Sequence, residues 1–141
     1  YKVFKDADSA ENRADLTFFI QKLLMILVSQ QEKVIKILSQ SREKLDKANE
    51  IISQWVNEHH HQLAATSDSL YCNVLYLLAQ SKLFTNQLDL GIKDNDIIET
   101  LKKSNRRYPM TKTKTAIEEL EALSAIEIVS KRPKQHVITI L

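Results

Sequence analysis

Chemistry in this 141-residue chain begins with its cations. Between Lys102 and Lys114 lie six basic residues and no acidic one: Lys102, Lys103, Arg106, Arg107, Lys112 and Lys114. A second group, Lys131, Arg132 and Lys134, follows near the C-terminus. Two basic clusters on separate loops make a phosphate-tracking surface when one fold brings them together. Thr111, Thr113 and Thr115 alternate with the lysines, and their hydroxyls can reach phosphates or base edges. The net charge is only +2, but it is unevenly spread. Residues 1–90 hold 10 basic and 11 acidic residues, whereas residues 91–141 hold 10 and 7. The predicted interface is therefore Arg106, Arg107, Thr111, Lys112, Thr113, Lys114, Thr115, Lys131, Arg132 and Lys134. Glu118, Glu119 and Glu121 weigh against it, since acids pointing outward would face phosphates; they fall in later turns than the lysines.

Other chemistry is sparse. His59, His60 and His61 are consecutive, so on a helix they splay by about 100° each and cannot all reach one metal. They read as a polar, cationic helix end. The chain has one glycine, which excludes a glycine-rich phosphate loop. No Cys/His set suits structural zinc. Cys72 is the only cysteine; it sits in an apolar helical run and reads as a small core residue. Carboxylates fall mainly beside Lys or Arg at helix-surface spacing, as in Glu43 and Lys47. The chain is expected to be non-catalytic, with no metal and no cofactor.

The elements that must position the cations can be read from periodicity. Ile97, Ile98 and Leu101 mark one face of a helix within Ile92–Lys103, with Asp94 or Asn95 as its cap. Pro109 lacks an N–H and pushes Tyr108 out of helical geometry, so that helix ends before it. A second helix follows, capped by Thr111 or Thr113, with Ala116, Ile117, Leu120 and Leu123 inward. Residues 125–130 alternate like a strand, residues 131–135 form a proline-containing turn, and residues 136–141 are a β-branched second strand.

The segment Thr113–Val129 resembles the recognition helix and first wing strand of the winged helix-turn-helix superfamily. Ser124 stands where glycine is common there, so serine must adopt a helix-end conformation that glycine reaches more easily. With Leu70–Ser81 as a first helix, the resemblance covers about half the chain. It implies a basic turn and recognition helix entering the DNA major groove, with the wing tip on a neighbouring phosphate or in the minor groove. Winged helices also serve as protein–protein modules, so the fold alone does not set the function.

Residues 1–90 contain neither glycine nor proline, which favours helix. Ser9 is a candidate N-cap, with Asn12 and Asp15 in the early turns. Leu27, Val34, Ala48 and Trp55 share one heptad seam position, and Leu38, Leu45 and Ile52 the other. One long helix satisfies this pattern; so does a hairpin bent near Ser39–Ser41, whose residues compete for backbone hydrogen bonds. The hairpin is favoured, because Phe18, Phe19, Leu24 and Ile26 need burial beyond one seam. Ala64–Ser69 reads as a cap and linker. Leu23–Val28 is flanked too closely by polar residues to span a membrane, and no signal-peptide layout occurs at the start.

The expected fold is mainly α: a long N-terminal helix or helical hairpin over residues 1–65, then a winged-helix domain over 66–141 ending in a β-hairpin. The expected function is duplex-DNA binding within a larger replication, partition or transcription protein, in the cytoplasm or nucleus. Residues 16–56 would mediate self-association or hold a partner protein. A scaffold winged helix like those of PCI-type subunits, or an RNA-binding winged helix, are the alternatives.

Overall fold

The computed structural model describes residues 16–63, 68–85, 90–104 and 108–141. Ser9, Asn12, Asp15, Arg106, Arg107 and the first part of the linker at Ala64 lie outside the described residues. The chain divides into two compact units, Tyr1–Arg42 and Glu43–Leu141.

Helix α1 runs without interruption over Leu16–His59, 44 residues. The favoured bend near Ser39–Ser41 does not occur. Serine and glutamine offer the backbone alternative partners, but no glycine or proline is present to break the hydrogen-bond ladder. Glu43 and Lys47 form the expected surface pair at 2.7 Å. In the second unit the helix buries Ala48, Ile52 and Val56, with Trp55 packed against them. The seam positions Leu27, Val34 and Leu38 are exposed.

A single 3-10 turn, His60–Gln62, follows. Helix α2, Asp68–Phe84, buries Leu70, Tyr71, Val74, Leu75, Leu78 and Ala79 at spacings of three and four. After it comes β1, Ile92–Lys93, a strand where periodicity predicts the start of a helix. Helix α3, Asp94–Ser104, buries Ile97, Ile98 and Leu101. Helix α4, Met110–Ala122, buries Thr113, Ala116, Ile117 and Leu120. Strands β2, Ile126–Lys131, and β3, Lys134–Ile138, make the hairpin. The expected strand limits shift: the second strand begins at Lys134 and ends at Ile138, earlier than predicted.

The sheet is antiparallel, in the order β1-β3-β2. Ile92 pairs with His136, and Ile126 pairs with Ile138. Pairing requires Gly91: its φ is 61°, and a Cβ there would stand 2.4 Å from the His136 carbonyl oxygen. The buried faces of α2, α3 and α4, the C-terminal part of α1, and Ile126 and Ile138 of the sheet form one apolar core. Lys82 ties α2 to the C-terminal segment by donating to the carbonyls of Ile138 at 3.1 Å and Leu141 at 3.2 Å.

Helix α4 ends as the sequence requires. Ser124 has φ 59°, the left-handed conformation expected where glycine is usual. Its N–H donates to Glu121 and the Ala125 N–H to Leu120, the paired bonds of a Schellman motif. No helix among the described residues is long and apolar enough to cross a membrane.

Candidate nucleic-acid interface

Helix α4 is started by Pro109, whose ψ of 154° is extended and whose carbonyl accepts the Thr113 N–H at 3.1 Å. No side chain caps this end, which corrects the expected cap by Thr111 or Thr113. The Thr113 hydroxyl instead donates to the same carbonyl at 3.3 Å, and Thr113 is buried. It shares the inward face with Ala116, Ile117 and Leu120, so its hydroxyl is not on the surface. The uncapped first-turn amides leave partial positive charge at the helix entrance.

Tyr108 fixes the approach to that entrance. Its hydroxyl meets Ser69 Oγ at 2.8 Å and accepts from Asn73 Nδ2 at 3.2 Å, holding the turn against α2. Beside it, Glu99, Lys102, Lys103, Tyr108, Pro109 and Met110 line a depression of about 710 Å³. Lys103 is drawn to Glu99 at 3.8 Å, an exposed pair.

The outward side of α4 carries Thr111, Lys112, Lys114 and Thr115, all exposed. The Thr115 hydroxyl donates to the Thr111 carbonyl at 3.1 Å. At the hairpin tip Lys131 and Arg132 are exposed, with Arg132–Pro133 the turn and the peptide between them cis. Lys112, Lys114, Lys131 and Arg132 have no ion-pair partner among the described residues. Helix and hairpin border one groove of about 410 Å³, lined by Lys93, Asp94, Asn95, Lys114, Ile117, Glu118, Pro133 and Lys134. Lys93, exposed on β1, is a cation that charge clustering along the sequence does not pick out.

Lys134 is different. It is partly buried and bonds Glu121 at 2.8 Å, so its charge is already matched. That bond holds Lys134 above its ordinary value and Glu121 below the usual carboxylate range, against a desolvation cost at each. His136 adds to the lowering at Glu121.

The helix glutamates prove to be mostly engaged. Glu119 accepts from the buried Tyr71 hydroxyl, and Glu121 is bound by Lys134 and His136. Only Glu118 of the three is exposed, and it lines the groove.

His136 is the residue that sequence reasoning passes over. It is 0% exposed, with Nδ1 2.6 Å from Asp94 Oδ1 and Nε2 3.2 Å from Glu121 Oε2. Its parity matches the inward Ile138, and a polar residue in an inward phase is the available signal. Among the described residues every buried side-chain nitrogen and oxygen has a partner.

The histidine run does not converge. His59 stacks on Trp55 at 4.2 Å and His60 meets Asp68 at 2.9 Å. Among the described residues no group of three His, Cys, Asp or Glu side chains is arranged to hold a metal ion. Burial, with Asp68 adding negative charge, pushes the Cys72 thiol up, which disfavours the reactive thiolate. Comparison with family models, curated proteins and solved structures finds no match to the chain. What stands is a mainly helical chain closed by a small antiparallel sheet, with exposed cations on one helix and one hairpin tip.

Proposed function

We propose that residues 68–141 act as a non-catalytic winged-helix module that binds duplex DNA, with α1 mediating association. In this reading α4 is the recognition helix and the β2–β3 hairpin is the wing. One observation supports it: Lys114 of α4, Lys93 of β1 and Pro133 of the hairpin turn line the same groove, so exposed cations of helix and sheet border one depression, with Lys131 and Arg132 next to Pro133 in the chain. Unpaired cations gain from phosphate without first breaking an ion pair. The uncapped N-terminus of α4 adds donors beside Thr111 and Lys112. Arg106 and Arg107 join the proposed interface on their sequence position alone. Glu118 in the groove limits how closely a phosphate can approach there, which directs the binding toward the first turn of α4.

A binding titration of duplex DNA at several salt concentrations tests the reading, with duplex RNA alongside. The Lys112/Lys114 and Lys131/Arg132 alanine pairs should each weaken DNA binding. Every cation taken away from a phosphate should lower the salt slope by about 1. Affinity and slope unchanged in both pairs would move the assignment to a protein–protein module. Stronger binding to RNA than to DNA would move it to the RNA-binding alternative.

A further inference from the structure

Twelve large apolar side chains between Leu16 and Leu38 are 42% to 71% exposed. Ile20, Leu24, Leu27, Val34 and Leu38 recur at alternating spacings of three and four, the seam of a helix that meets another helix. One place in that seam is polar: Gln31, between Leu27 and Val34, is itself exposed.

We propose that this face docks a second copy of the chain, helix against helix, with the two Gln31 side chains meeting in the interface. The proposal deepens the association part of the reading above and does not depend on DNA binding. Area supports it. Eight of the twelve, Leu16, Ile20, Leu23, Leu24, Leu27, Val34, Ile35 and Leu38, fall within about 60° of the seam, and at roughly 100 Å² each they come to roughly 800 Å², the area per partner of a standard interface.

Gln31 selects the occupant. An amide carries both donor and acceptor, so two glutamines at one level satisfy each other. A lipid surface would leave that amide without a partner in hydrocarbon, at a cost of about 2–7 kcal/mol when unpaired. Charge agrees with the seam, because Lys22, Lys33 and Lys36 fall on the opposite side at about 100° per residue. Lys22 lies over the Phe18 ring at 5.4 Å, also on that side. The run Leu23–Val28 extends the apolar surface past a single seam, so a closed oligomer larger than two copies satisfies the proposal as well.

Sedimentation equilibrium of the full chain across a range of concentrations, with flotation on anionic vesicles beside it, tests this. The chain should sediment as a dimer or larger closed oligomer and should not float. The Leu27→Glu/Val34→Glu variant should be monomeric while keeping the thermal transition of the second unit. Gln31→Glu should weaken association by about tenfold or more at neutral pH, through like charges facing each other, and recover in acid. Gln31→Leu should tighten it. A monomer at every concentration, an oligomer indifferent to Leu27→Glu/Val34→Glu, or flotation of a monomeric chain overturns the proposal. DNA affinity per module is read separately, so the failure of either reading leaves the other standing.

Discussion

His136 Nδ1 lies 2.6 Å from Asp94 Oδ1, which ties the central strand of the sheet to the first residue of α3. The other ring nitrogen lies 3.2 Å from Glu121 on α4. One buried side chain thus holds two helices on one strand.

The His136→Leu variant should therefore lose stability, by about 1–3 kcal/mol, because Asp94 and Glu121 each lose a hydrogen-bond partner. Urea denaturation measures it as a lower midpoint with the slope retained. A midpoint equal to that of the parent would mean that water replaces the ring without cost.

The Lys134–Glu121 bond gives stability a pH dependence at both ends. Glu121 is held below its ordinary value, chiefly by the Lys134 hydrogen bond, so its contribution is complete above the usual carboxylate range. That contribution is lost as pH falls through the depressed value. Lys134 is held above its ordinary value by Glu121, so its contribution is complete below the usual lysine range and is lost as pH rises through the raised value. Lys134→Ala should flatten both limbs of a stability-against-pH profile. It should cost less DNA affinity than Arg132→Ala, because its charge is already matched.

Two backbone positions should respond in opposite directions. Ser124→Gly should stabilise the chain by about 1 kcal/mol, since glycine holds a positive φ without the Cβ penalty. Gly91→Ala should destabilise it by at least about 1–3 kcal/mol, because a Cβ there collides with the His136 carbonyl as well as straining φ. Thermal denaturation of the two variants against the parent reads both signs.

Along α1, Ile52→Ala should cost about 2–5 kcal/mol, as Ile52 is fully buried. Leu38→Ala, at a site 62% exposed, should leave the stability of a dilute sample within about 0.5 kcal/mol of the parent. Its effect should appear as concentration rises and the helix face is covered. Equal effects of the two substitutions at all concentrations would contradict this division of the helix.

The order helix, turn, helix, hairpin is legible because each signal is local. Pro109 stops one helix and starts the next, apolar spacing marks the inward faces of α3 and α4, and alternation with a proline turn marks the hairpin. Strand β1 is not legible, for two residues hold no period and Ile92 falls in step with the helix that follows. The inward position of Thr113 is readable in principle, since it is three and four residues before Ala116 and Ile117. Its hydroxyl marks it as a phosphate-binding residue instead. The continuity of α1 is the harder question: its heptad holds under either arrangement, and only the geometry of the chain separates them. The matching of Lys134 by Glu121 depends on a bond between hairpin and helix, which charge counting cannot reveal.

The hairpin register shifts between Ile128 and Ser130, leaving Val129 as an extra residue in β2. Strand β2 stands at an edge of the sheet, paired among the described strands with β3 alone. A bulge kinks and twists such a rim, so the spacing of its free amides and carbonyls no longer fits a straight visitor. Val129 thereby turns an edge that would template strand addition into one that discourages it, and Lys131 at the end of the same strand adds a charge that a stacking neighbour would have to bury.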